Sequence, residues 1–152
     1  MEVASLYNEQ FMDHVAHPDY KYELDDATHT HDGVNPSCGD ELHLAIRLGE
    51  DGLIEEVAYT GHGCAVSMAS ADIMSDLMVG KTPQQAMHLC ELFKGMITGG
   101  KKDEATLDEL DEAALLKDVS HMPARVKCAE LAWRTLAEML KDEDDSGVTT
   151  TE

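Results

Sequence analysis

The stretch from Glu41 to Thr60 constrains the fold more than any other part of the chain. Leu42, Leu44, Ile46 and Leu48 alternate with Glu41, His43, Ala45 and Arg47. A period of two puts the first set on one side of an extended strand and the second on the other, so the strand is half buried. Gly49-Glu50-Asp51-Gly52 reads as a turn. Leu53 to Thr60 then returns as the second strand of an antiparallel hairpin. After Gly61-His62-Gly63 the period becomes helical: Val66, Ala69, Ile73 and Leu77 share a face that ends at Gly80.

Thr82, Pro83 and Gln85 have the pattern of a capping box with proline at the first helical position. The helix they open carries an apolar stripe of Ala86, Leu89, Cys90, Phe93 and Ile97, and Gly99-Gly100 stops it. Pro123 opens a last helix through Cys128, Leu131, Ala132, Leu136 and Leu140. Weaker patterns predict an opening helix from Val3 to Val15, a short strand near Ala27 to His31, and a short helix around Leu107 to Leu116. This order predicts an α+β fold, a small antiparallel three-stranded sheet with helices packed on one face. One domain is expected over residues 1–141, with a disordered acidic tail over 142–152.

Charge narrows the function. The 152 residues hold 31 acidic and 11 basic side chains, a formal net charge of −20. Nucleic acid and anionic membrane surfaces select the opposite sign. No stretch reaches the ~18 consecutive apolar residues of a membrane span, and Met1 to Gln10 lacks the basic and apolar regions of a secretory signal. A cytoplasmic location is therefore expected. Four cysteines in that compartment are thiols or metal ligands rather than disulfides. Cys38, Cys64, Cys90 and Cys128 contain no CxxC pair, which excludes zinc ribbons and thioredoxin-like motifs.

Cys38 and Asp40 stand two apart, with the parity of Leu42 and Leu44, so both lean toward the covered face and reach one ion together. A buried cysteine beside a turn aspartate is an equal alternative. Cys64 lies at a glycine-flanked strand-to-helix turn, where a helix N-terminus favours a thiolate nucleophile or ligand. Cys128 follows Arg125 and Lys127, two cations that favour its thiolate, yet it also shares a face with Leu131, Ala132 and Leu136. Cys90 sits inside an apolar stripe, where packing explains it. Three cysteines and an aspartate make an S₃O set suited to zinc, although His62 or His121 could replace any one donor.

Three motifs in order carry a resemblance: Asn35-Pro36-Ser37-Cys38-Gly39-Asp40, Gly61-His62-Gly63-Cys64-Ala65-Val66-Ser67-Met68-Ala69-Ser70, and Pro123-Ala124-Arg125-Val126-Lys127-Cys128-Ala129-Glu130-Leu131-Ala132-Trp133. They resemble the NifU/IscU superfamily and, more closely, its SufU branch, from about Leu6 to Leu140. IscU-type scaffolds carry a histidine just before the last cysteine, where Lys127 stands here. They also carry a Leu-Pro-Pro-Val-Lys chaperone motif that residues 123–127 do not reproduce. The charged segment Gly99 to Ser120 corresponds to an insertion typical of SufU, whereas His62, His121 and the acidic tail depart from the family pattern.

The resemblance implies a SufE/NifU-like fold, with Cys38, Asp40, Cys64 and Cys128 as zinc ligands. It implies a SufS-type cysteine desulfurase as partner and downstream iron–sulfur assembly machinery as recipient. The expected activity is that of a zinc-dependent sulfurtransferase, with Cys38 as persulfide acceptor and Arg125 supporting docking. The alternative is an IscU-like scaffold holding iron or a [2Fe–2S] cluster.

Overall fold

The computed structural model describes residues 8–99, 101–141 and 148–151. Its sheet contains β1 (His29–Asn35), β2 (Asp40–Leu48), β3 (Ile54–His62) and β4 (Val148–Thr150), in the order β3-β2-β1-β4. The hairpin expected from the alternation is β2 and β3, antiparallel, with Leu44 opposite Tyr59 and Ile46 opposite Val57. Leu42, Leu44 and Ile46 are buried while Glu41 and His43 are exposed, as a one-sided strand requires.

Two strands differ from the sequence expectation. β1 runs on to Asn35, past the expected end at His31, through residues of poor strand propensity. Pairing of every β1 residue with β2, from His29 opposite Ile46 to Asn35 opposite Asp40, overrides that propensity. β4 pairs parallel to β1, with Gly33 opposite Thr149, so the sheet is mixed and four-stranded rather than three-stranded and antiparallel. Val148, Thr149 and Thr150 are β-branched and suit an edge strand. Thr149 is buried and its hydroxyl meets the His31 Nε2 at 2.9 Å. The expected solvated tail therefore does not extend over residues 148–151, and residues 142–147 lie outside the described part.

The helices are α1 (Glu9–Ala16), α2 (Ala65–Met78), α3 (Pro83–Gly99), α4 (Glu104–Leu110) and α5 (Pro123–Lys141), with a 3₁₀ segment from Asp111 to His121. Asn8 caps α1 by accepting from the Phe11 N–H at 2.9 Å. The expected helical residues Val3, Leu6 and Tyr7 fall outside the described residues. The capping box forms: Thr82 Oγ1 accepts from the Gln85 N–H at 3.1 Å, and Gln85 Oε1 from the Thr82 N–H at 2.9 Å. The expected helix around Leu107 to Leu116 starts earlier and loses its α form at Asp111, whose φ of 52° is incompatible with a continuing helix.

One cluster locks α5 over the sheet. Trp133 stacks on Phe93 of α3, ring centroids 4.0 Å apart, and its Nε1–H donates to the Ser70 hydroxyl of α2 at 2.9 Å. Ser70 in turn donates to the Ala129 carbonyl at 2.6 Å. On the sheet side, a Cβ at Gly33 would lie 2.3 Å from the Thr135 hydroxyl, so only glycine admits α5 this close to β1. The start of α5 is thereby carried to the end of the sheet where β1 turns into β2.

Candidate metal centre

Three chain turns meet at that end. Residues 36–39 link β1 to β2, and the Asn35 carbonyl accepts from the Cys38 N–H at 3.2 Å and the Gly39 N–H at 2.9 Å. Cys38 is exposed at the tip of this turn, while Asp40, the first residue of β2, is 1% exposed. Cys64 is the N-cap of α2, and its sulfur accepts from the Ser67 N–H at 3.4 Å. Cys128, in the second turn of α5, is fully buried.

The Cys38 sulfur, a carboxylate oxygen of Asp40 and the Cys128 sulfur all lie within 4.8 Å of one another. Cys64 lies outside this trio of donor atoms, although its thiol and that of Cys128 influence each other's ionisation. Its backbone N–H also donates to Asp40 Oδ1 at 2.9 Å. The next turn upstream makes room for this contact. A Cβ on Gly63 would sit 2.6 Å from Asp40 Oδ1, so glycine there keeps the carboxylate in place.

The two paired thiols are driven apart. The neighbouring Cys128 thiol, and after it the Ser67 N–H, lower the Cys64 thiol below its ordinary range against the opposing effect of burial. The Cys64 sulfur and burial push Cys128 upward. Binding of a cation in this group requires its thiols to be deprotonated.

Other residues singled out in the sequence lie elsewhere or at the rim. Arg125 precedes Cys128 by three residues and is half-buried in the first turn of α5. His62 pairs with Glu41 at 2.7 Å on exposed surface, and His121 faces the Lys102 ammonium at 3.1 Å. Cys90 is buried on α3, with its thiol pushed up to about 12 by burial and then by Glu91. Two participants were not anticipated. Asn35, the first residue of the first motif, is fully buried and donates from Nδ2 to Asp40 Oδ2 at 3.0 Å and to Cys128 Sγ at 3.5 Å. Ser67 contributes its N–H to Cys64. Only the register of β1 on β2, Asn35 facing Asp40, exposes the first of these.

Fold and site together define an α+β protein with a sulfur-rich group of candidate metal donors at one end of a mixed sheet. Donor atoms around a tetrahedral ion with bonds of about 2.0–2.3 Å stand about 3–4 Å apart. The tethered carboxylate, the preassembled sulfurs and the glycine-lined approach fit such an ion.

The chain matches the family described as the NifU-like N terminal domain over residues 6–142. It is 38% identical over 136 residues to the iron-sulfur cluster assembly scaffold protein IscU of Thermotoga maritima, covering 90% of this chain and 93% of that one. It is 35% identical over 140 residues to the zinc-dependent sulfurtransferase SufU of Bacillus subtilis, covering 92% of each. A crystal structure of a putative iron-sulfur cluster assembly scaffold protein for the SUF system, from Fervidobacterium islandicum, superposes with a TM-score of 0.80. It is 33% identical, over 91% of this chain and 99% of the other. The chain belongs to the NifU-like N-terminal domain family, among the IscU/SufU iron–sulfur cluster assembly proteins.

Proposed function

We propose that the chain is a zinc-dependent sulfurtransferase that takes sulfur from a SufS-type cysteine desulfurase in the cytoplasm and hands it on for iron–sulfur cluster assembly. The observation that carries this reading is the unequal exposure of the donors: Cys38 is open to a partner, whereas Asp40 and Cys128 are buried. Lys127 stands where the scaffold branch carries a histidine, which leaves Cys38, Asp40, Cys64 and Cys128 as the donor set.

Zinc, when bound, keeps the coordinating thiols ionised near neutral pH. The steps that follow belong to the chain. Cys38, at the tip of the β1–β2 turn, meets the desulfurase persulfide without entering the core. Its thiolate attacks the outer sulfur; the bond between the two persulfide sulfurs breaks as the new S–S bond forms. The desulfurase cysteine departs as a thiolate, and the proton stays on the transferred sulfur. Arg125 places a cation at the rim of the site, supporting an approaching partner. Asp40, Cys64 and Cys128 stay anchored by the Cys64 and Ser67 N–H groups and by Asn35.

The test is desulfurase turnover with and without the chain, repeated with Cys38→Ala. Wild type accelerates turnover and Cys38→Ala does not; equal acceleration by both overturns transfer through Cys38. The scaffold reading is supported by the IscU name of a relative at 38% identity. It requires a brown protein with labile sulfide after expression in iron-replete cells, whereas the transferase is colourless with about one zinc per chain.

A further inference from the structure

We infer that Asn35 is a positioning residue that ties Asp40 to Cys128 and so leaves Cys38 as the donor free to depart. The inference rests on the zinc-binding reading above. It begins with a feature no turn requires. A carboxamide with no exposed surface has spent its Nδ2 on two members of the donor set, while its Oδ1 has no partner. Burying an amide oxygen without a hydrogen bond costs about 1–3 kcal/mol. A residue serving only the β1–β2 turn would not need that arrangement, because the turn's hydrogen bonds come from the Asn35 backbone carbonyl.

The chemistry fits the two recipients. A carboxylate oxygen and a sulfur side by side both present lone pairs. An amide NH₂ has two N–H bonds, one for each, and no formal charge of its own to neutralise them. Aspartate at the same place would add a further anion, and a cationic side chain would compete with the metal. The flipped amide would direct its oxygen at two acceptors, so the orientation follows from the recipients.

The supports are distributed unevenly around the site. Asp40 accepts from Asn35 and from the Cys64 N–H; Cys64 accepts from the Ser67 N–H; Cys128 accepts from Asn35. Cys38 shares a contact with Cys128 and sits exposed on a four-residue turn ending at Gly39, with φ of 74°. Hydrogen bonds to metal ligands fix their orientation and strengthen their hold on the metal. The ligand outside the anchored trio is the one that also meets the partner.

The experiment compares zinc-loaded wild type with Asn35→Asp and Asn35→Ala. It reads zinc release to a chromogenic chelator and the order in which cysteines are alkylated, located by mass spectrometry. Melting of the chelator-stripped chains reports folding separately. Wild type is expected to be alkylated first at Cys38. Both variants are expected to release zinc 10–100-fold faster, and to expose Cys128 to alkylation together with Cys38. Zinc release within twofold of wild type, with the same alkylation order, overturns the role of Asn35 even if sulfur transfer is demonstrated. If Asn35→Ala fails to fold, Asn35→Asp, of equal size, decides. A wild-type chain that binds zinc but never stimulates the desulfurase overturns transfer and leaves the Asn35 measurement valid. A wild type with no affinity for zinc overturns both.

Discussion

Cys90 and Cys128 are both buried cysteines within the apolar stripes of long helices, α3 and α5. Cys90 lies beside Phe93 and Trp133 on a cavity otherwise lined by charged side chains such as Glu91, Lys94 and Glu130, and its thiol is held neutral by burial. Around Cys128 stand Cys38, Asp40, Cys64 and the amide of Asn35. Residue type and burial are the same; the neighbours brought in from β1, β2 and α2 differ. A thiol becomes a ligand because polar partners converge on it, and not because it is buried or helical.

Replacing each cysteine separates the two environments most sharply. Cys128→Ser is expected to lose zinc completely to a competing chelator, while Cys90→Ser keeps about one zinc per chain. Metal analysis after desalting reads both, and loss of zinc from Cys90→Ser breaks the comparison. Next in size is Trp133→Ala. It removes the ring stacked on Phe93 and the donor to Ser70, and should cost about 3–5 kcal/mol in denaturant unfolding of the stripped chain. Zinc per folded chain should hold steady.

Cys90→Ser itself should cost less, about 1–3 kcal/mol, for a hydroxyl buried without a partner. Its unfolding midpoint reports this with zinc removed.

The smallest effect lies at a half-buried histidine on another element, α1. His14 of α1 bonds Asp72 of α2 at 2.7 Å and also Glu112 of the 3₁₀ segment. Burial lowers its pKa, but the hydrogen bonds to Asp72 and Glu112 prevail, so the net shift is upward from 6.5. A raised folded-state pKa gives a contribution fully present below the unfolded value of about 6.5 and lost as pH rises through the folded value. Amide exchange in Glu9–Ala16 should therefore quicken relative to α3 as pH rises above about 6.5, after correction for intrinsic rates. His14→Gln should remove that dependence without changing zinc content. An unchanged pH profile in His14→Gln would detach α1 from this cluster.

Much of the scaffold was legible because its signals are local. Alternation from Leu42 to Leu48 specifies β2 whatever surrounds it, and Thr82 with Gln85 caps α3 through atoms three residues apart. The two-residue spacing set Cys38 near Asp40, but parity misplaced its side chain: Cys38 is exposed in the turn before β2 while Asp40 is buried. Cys64 could be placed at a helix start from its flanking glycines. β4 could not be read, because Val148-Thr149-Thr150 is a short β-branched run whose strand partner among the described residues, β1, lies more than a hundred residues away. Asn35 and Ser67 were hidden for the same reason: their value depends on which groups face them.

What the sequence determined by itself is the alternation and capping that make the elements, the family motifs, and the excess of 31 acidic over 11 basic side chains. What only the tertiary structure decided is which cysteines meet. Glycine at position 33 admits α5 against β1, Trp133 locks it there, and Cys128 arrives beside Asp40 and Cys38 while Cys90, on the neighbouring helix, does not. Periodicity assigns a residue to a face, but coordination depends on distances of a few ångströms between atoms of distant segments, and packing sets those.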